Sequence, residues 1–427
     1  RHLTPALRGE KAPRFRGGGR LDTVAPHRTV RRPPMPSTTD VAIIGGGAIG
    51  SAVAYFLLRD PAWKGRVTVV ERDPTYRRAS SALSASSIRQ QFSTPENIRM
   101  SRFGFAFLAE VGRHLAVGGE APEIGLTTRG YLYLATPGHA AALRENHAIQ
   151  RAERAEIALL SPAELAARFP WMSFDGVALG SLGLAGEGWF DGYGLMQAFR
   201  RKAKSLGAVY LDAEAVAIRT DRSRVTAVRL ANGDEIACGA LVNAAGPWAR
   251  AVAAMAGIPL PVEARRRCIF VFDARRTFPD CPLVIDPSGV FFRAEGAYFI
   301  AGTSPPKDED LHELPLEVDH RLFDDVLWPA LAARVPAFEA IKPVNAWAGY
   351  YEYNTFDQNA VLGPHPEIAN FFFANGFSGH GIQQSPAAGR AAAELIAHGR
   401  FASLDLSIFG YARIAAGRPV VEKNVIG

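Results

Sequence analysis

The clearest pattern in the chain is an apolar run, Val41 to Ile44, that ends in Gly45-Gly46-Gly47 and passes at once into a helical stretch, Ala48 to Asp60, halted by Pro61. A short run with no polar face predicts a strand covered on both sides, as in a parallel sheet. Arg66 to Val70 predicts a second strand of the same kind. Strand patterns return within Gly125 to Ala135 and over Val209 to Ile218, and Arg224 to Ile236 alternates around Asn232-Gly233, a hairpin signal. Ala240 to Ala245 reads as another buried strand that delivers the chain into Gly246-Pro247-Trp248. Pro261 to Asp273, Val290 to Arg293 and Tyr298 to Gly302 form a separate β-rich set, and Phe371 to Asn375 is a last apolar strand. Helices are predicted over Ala141 to Ala167, split by Ser161-Pro162, over Leu195 to Leu206, and from about Pro386 to His398.

The first strand, turn and helix have the spacing of a dinucleotide-binding unit. Gly45 takes the tight turn, Gly47 lets the backbone approach a pyrophosphate, and Gly50 lets helix and strand pack closely. Ala48 and Ile49 open the helix, whose free N–H groups suit a phosphate. Glu71 closes the second strand 21 residues beyond Gly50, the distance at which an acid meets ribose hydroxyls, with Arg72 beside it. A second Gly-rich strand-to-helix turn, Gly376-Phe377-Ser378-Gly379-His380-Gly381, follows the last strand. One helix start can hold a pyrophosphate and the other an anionic ring; no second nucleotide unit for a nicotinamide is visible, which favours FAD over NAD. Between them, Ser80 to Phe92 is rich in hydroxyls and then in charge and amides. It reads either as a ligand-covering loop, with Arg89 for a carboxylate or flavin carbonyl, or as a plain helix-capping serine cluster.

Composition narrows the class. With 427 residues and 48% hydrophobic content the chain can bury a large core. No apolar segment reaches the length of a membrane span. The net charge of +6 is concentrated in Arg1 to Pro34, which holds nine Lys/Arg and two Asp/Glu and leaves the remainder at −1. The body therefore lacks the basic surface of a nucleic-acid binder. The tail is Gly-, Pro- and Arg-rich and is expected to be disordered, with Met35 a candidate start. Cys238, Cys268 and Cys281 have neither metal nor redox spacing, so a metal is not expected. A reducing compartment fits them: the cytoplasm for a bacterial-type protein, the mitochondrial matrix for a eukaryotic one.

Four ordered motifs, Ile43 to Gly50, Ser80 to Phe92, Val242 to Trp248 and Gly376 to Gly381, resemble the D-amino-acid-oxidase-like FAD oxidoreductases, which include sarcosine oxidase, glycine oxidase and dimethylglycine dehydrogenase. The match runs from about Thr38 to Phe409. Trp347 to Asn359 and Gly376 to Gln384 look closest to a mitochondrial branch tied to assembly of a respiratory complex. The resemblance implies an α/β protein, a Rossmann-like FAD-binding domain interleaved with an α+β substrate domain roofed by a mostly antiparallel sheet. The FAD-binding parts are then 37–115, 190–262 and 347–410, the substrate domain 116–189 and 263–346, with tails at 1–36 and 411–427.

In that family FAD lies extended. The positions implied here are Gly45, Gly47, Ala48, Ile49, Gly50, Glu71 and Arg72, then Ser81, Ser84, Ser87, Arg89, Gln90 and Gln91, then Val216, Gly246 and Trp248, and finally Gly379, His380, Gly381, Ile382 and Gln383. The implied reaction takes a hydride from the carbon next to an amine to flavin N5. Members of the sarcosine-oxidase type grip the substrate carboxylate with a Lys and an Arg where this chain has Gln383 and Phe92. Arg293 and Arg267 are the substitute candidates, or else solvated strand-edge residues, and Tyr351 is a candidate donor. His380 is a candidate acid or base, though a flavin-side hydrogen bond suits its turn better. Oxidases carry a Lys near the position of Ile300, and none lies between Arg293 and Thr303, which tilts the expectation to a dehydrogenase passing electrons to a protein or quinone rather than to oxygen. The His or Cys used for covalent attachment in relatives is missing, so FAD is expected to be noncovalent. The alternative class is a flavin-stabilised assembly factor with little or no turnover.

Overall fold

The computed structural model describes residues 36–423, so the basic tail, apart from Pro36, lies outside the described residues. Two eight-stranded sheets organise the chain. The first is built on Thr38–Ile44, which pairs in parallel with Val67–Glu71 on one side and Glu235–Asn243 on the other; Phe371–Asn375 and Val209–Asp212 extend it outward. Thr38–Ile44, Val67–Glu71 and Phe371–Asn375 are buried along most of their length, as their apolar runs predict, whereas Val209–Asp212 is a partly exposed edge strand. The Asn232-Gly233 hairpin joins Arg224–Leu230 to Glu235–Asn243, with Gly233 at φ +91°.

Three helices cover one face. Ala48–Arg59 packs against Gly192–Ser205 and against Gly381–His398, where Gly389 lets the helices meet at Ala52. Gly381–His398 starts five residues earlier than the Pro386 start predicted from sequence. Proline removes the N–H that would bond the carbonyl four residues back, and here the Ser385 hydroxyl donates to that Ile382 carbonyl at 2.9 Å. The helix therefore runs through Pro386, and its free N-terminus is placed beside His380.

The second sheet forms the roof. Its pairs are antiparallel except Leu283–Ile285 with Tyr131–Ala135. Its longest element is a ribbon of Val262–Asp273 and Lys342–Asn354, continuous across the boundary drawn at 346/347 from sequence. Ile157–Leu160, read from sequence as part of a helix, is an edge strand of this roof. Four consecutive apolar residues carry no period that separates the two readings, and the exposed edge of Leu179–Gly183 decides it.

Beyond residue 410 the chain is tied back to the body. Arg413 forks onto Asp357 at 2.7 and 3.0 Å, both buried, and Glu422 accepts from Ser93 N, Thr94 N and Asn97 at the start of the Pro95–Ala109 helix. Thr94 gives that helix no side-chain cap, and Glu422 places its carboxylate at the positive end of the helix, bonded to the two backbone N–H groups that lead into it and to the Asn97 side chain.

Candidate active site

Two cavities lie between the sheets and share Ile49, Ser80, Ser81 and Glu352 as walls, so together they form one bent trough. The outer cavity, about 430 Å³, sits over the Gly-rich turn. Gly45 has φ +101°, and a Cβ there would run into the Ala244 carbonyl. Gly50 abuts the Gly45 carbonyl and is a packing glycine outside the cavity wall. Gly47 differs: its φ is −65°, and a Cβ would meet only Ser81 Oγ, at 3.4 Å, so the space above it is open to a ligand.

Glu71 accepts from Gly46 N at 2.8 Å and Asp73 N at 2.9 Å, which locks the turn to the end of the second strand. Burial pushes its carboxyl up, and those two N–H bonds pull partly back. Arg72 lies over the Trp248 ring at 3.8 Å, forming the opposite wall with Gly246. Val216 is not part of this wall. It is 43% exposed on the edge hairpin, while Ala213, Glu214 and Ala215 just before it face the cavity.

The inner cavity, about 200 Å³, is walled by Ser84, Ser87, Arg89, Arg267, Tyr351 and the turn Gly379 to Gln383. Arg89 is buried and donates through NH1 to the Gln91 carbonyl at 2.7 Å and through NH2 to His380 Nε2 at 2.9 Å. A guanidinium can only donate, so Nε2 is the acceptor and the imidazole proton is on Nδ1. Burial, then the Arg89 charge, holds His380 well below the ordinary imidazole range. His380 is thus a neutral acceptor for Arg89, and its Nε2 lone pair is engaged rather than poised for proton abstraction.

The two positions at which the resemblance expects carboxylate-binding cations serve Arg89 instead. The Phe92 ring lies 3.9 Å from its guanidinium, and the Gln383 side chain accepts from Arg89 N at 2.9 Å. Gln90 and Gln91 do not reach the cavity. Their N–H groups turn back to Glu187, at 2.6 and 3.2 Å, which also accepts from the Gln91 side chain and Tyr131 N. Burial pushes Glu187 up to about 7 against those donors, and the Arg89 charge opposes the rise.

Two further expectations are corrected. Arg293 is 3% exposed and is absent from the cavity wall; it pairs with Glu295 and donates to the Ala85 carbonyl at 2.8 Å, propping the serine loop from behind. Tyr351 donates its hydroxyl to the Ser378 carbonyl at 2.5 Å, and a Cβ at Gly379, φ +86°, would run into its ring. It pins the second Gly-rich turn. The serines of the loop are likewise engaged: Ser81 Oγ accepts from Ala48 N at 3.1 Å, Ser84 Oγ from Ser86 N at 3.0 Å, and Ser87 Oγ bonds the Tyr131 hydroxyl.

Sequence reasoning missed Glu352, an acid within an aromatic strand. It is buried at the junction of both cavities, accepts from Gly376 N at 3.1 Å and abuts Gly381. Burial pushes it up to about 7.

An extended FAD fits this trough: an open backbone approach at Gly47, an acid at Glu71, and a second helix start at Gly381 beside the inner cavity. Fold and site define an FAD-dependent oxidoreductase, and the chain belongs to the DAO family, FAD dependent oxidoreductase, which it matches over residues 40–395. It is 45% identical to FAD-dependent oxidoreductase domain-containing protein 1 of Xenopus laevis, over 92% of this chain and 85% of that protein. It is 28% identical to the mitochondrial sarcosine dehydrogenase of Mus musculus, over 86% of this chain and 40% of that protein. Among solved structures, L-proline dehydrogenase from P. horikoshii aligns with TM-score 0.79 at 25% identity, covering 90% of this chain and 100% of that one.

Gly47→Val places a branched side chain in the open approach without backbone strain. The purified variant should keep its far-UV spectrum and lose bound FAD; full flavin occupancy would refute the turn's role. Glu352 supplies a pH test on the apoprotein. Its folded pKa is above the ordinary 4.5, so its contribution to stability is full below that value and is lost as pH rises through about 7. Glu352→Gln should therefore gain on wild type in urea midpoint between about pH 5 and 8. An unchanged gap at the two pH values would show that Glu352 does not titrate there.

Proposed function

We propose that this chain oxidises the C–N bond of a small amine or N-methyl amino acid, as a dehydrogenase that holds FAD noncovalently. The observation that carries this reading is the inner cavity, small, closed by the roof and set against Arg89, His380 and the start of the Gly381–His398 helix. FAD, when bound, supplies the acceptor for the two electrons and the hydrogen leaving the carbon next to nitrogen. The protein positions the substrate and sets the charge around it. Arg89, fixed by Gln91, His380 and Phe92, and the N-terminal N–H groups at Gly381 place positive charge where a reduced ring system would be negative. Neutral His380 adds no charge of its own beside Arg89. The names of sarcosine dehydrogenase and L-proline dehydrogenase support an amino acid or related amine as the substrate class.

No lysine lines either cavity among the described residues, which supports a dehydrogenase over an oxidase, since the roof then offers no ammonium to stabilise reduced oxygen. Cys268 borders the inner cavity, but its side chain belongs to the apolar core of the roof, in keeping with a noncovalent flavin. A second reading, a flavin-stabilised assembly factor, draws on the conversion of the Gln383 and Phe92 positions from substrate cations to supports of Arg89.

Anaerobic titration of the yellow protein with sarcosine, dimethylglycine, glycine and proline should bleach the flavin with at least one of them. Admitting air should restore the colour slowly, whereas a quinone or dye acceptor restores it at once. If dithionite bleaches the protein and none of the four amines does, the assembly-factor reading takes its place.

A further inference from the structure

The roof ribbon carries three consecutive arginines, and alternation along the strand sets Arg265 and Arg267 on the same face as Ile269, towards the trough. Their guanidinium groups converge on one carboxylate. Asp310 accepts from Arg267 at 2.7 and 3.0 Å in a fork-to-fork pair, and Arg265 lies 4.0 Å from its Oδ2, itself paired with Glu263 at 2.5 Å. Arg267 also lies over the Tyr351 ring at 4.8 Å and forms part of the inner cavity wall, whereas Asp310 does not line that cavity. The Nε atoms of Arg265 and Arg267 are buried without a hydrogen-bond partner, so this anion site has donor capacity beyond what Asp310 uses.

Asp310 stands on a strap, residues 303–320, that crosses the ribbon. Thr303 anchors the start of the strap through its hydroxyl on the Gly289 carbonyl, and between there and Asp310 no bond ties the strap to the ribbon among the described residues; the remaining bonds lie beyond Asp310, where Ala264 N donates to His312 Nδ1, Glu313 N to the Ala264 carbonyl, Tyr350 to the Leu314 carbonyl, and Arg266 to the Pro315 and Glu317 carbonyls. Asp310 can therefore withdraw without unfastening the strap. Pro305 to Glu309, on its other side, are mostly exposed.

We propose that the Arg267 fork is the carboxylate subsite of the inner cavity and that Asp310 fills it as an internal ligand until an anionic substrate displaces it. The inference rests on the amine-oxidising reading and narrows it to amino acids with a free carboxylate. Asp310 and the substrate compete for one bidentate donor set, so occupancy by Asp310 raises the apparent dissociation constant of any carboxylate in inverse proportion to the fraction of time the fork stands free. A neutral ligand of the same shape is unaffected.

The test compares benzoate with benzamide, followed by flavin difference absorbance, on FAD-loaded wild type, Asp310→Asn and Asp310→Ala. Both variants should bind benzoate roughly tenfold more tightly than wild type, with benzamide unchanged, and Arg267→Gln placed on Asp310→Asn should abolish the gain. Equal benzoate affinity in wild type and both variants, including no binding by any, overturns the proposal. An equal gain for benzamide also overturns it, since that marks a wider cavity rather than a vacated charge. The outcome is separable from the amine titration: a benzoate gain without flavin reduction keeps the subsite and removes the reaction, and flavin reduction without a benzoate gain does the reverse.

Discussion

A buried guanidinium must find acceptors for its N–H groups, because desolvating it without them costs several kcal/mol. In this protein that requirement falls on Arg89 and is met from both ends of the chain. The Gln91 carbonyl and the Phe92 ring come from its own loop, while His380 comes from the last Gly-rich turn, nearly 300 residues later, where Gln383 also accepts from the Arg89 backbone N–H. The same contacts fix the floor of the inner cavity and the tautomer of His380. Glu187 adds the backing, holding the backbone of Gln90 and Gln91 so that the Gln91 carbonyl faces Arg89.

Charge pairing then distinguishes the floor from the roof. Arg265, Arg267 and Arg293 each have a carboxylate partner, Glu263, Asp310 and Glu295. Arg89 is instead bonded to a carbonyl and an imidazole, with Glu187 felt through the field. Each roof pair has its own purpose. Arg293 holds the serine loop through Ala85, and Arg267 looks into the cavity with its fork already filled.

The parts of this arrangement legible in the sequence are those whose signal is local. Gly45, Gly47, Gly50 and Glu71 lie within one strand–turn–helix–strand unit, and Gly376 to Gly381 adjoins its strand and helix, so spacing alone conveys their roles. The choice between Arg293 and Arg267 was not legible, because it depends on the register of Val262–Asp273 against Lys342–Asn354 and on what lies behind Ala85. Glu187 and Glu352 are single acids and Asp310 is the last of three in a row, none in a pattern that marks a site; their partners lie 24 to 97 residues away along the chain. Ile157–Leu160 shows the same limit in the fold, a short apolar run whose state is decided by the sheet edge beside it.

The proposed redox site depends most on Arg89 as a fixed positive charge in the wall of the inner cavity. The direct measurement is the reduction potential of the bound flavin in wild type and in Arg89→Gln, each confirmed to be FAD-loaded. A more negative potential is expected in the variant, because a reduced, anionic ring held in the inner cavity would lose the favourable charge of Arg89. Equal potentials would place Arg89 away from the ring and contradict the assignment of the inner cavity as the redox site.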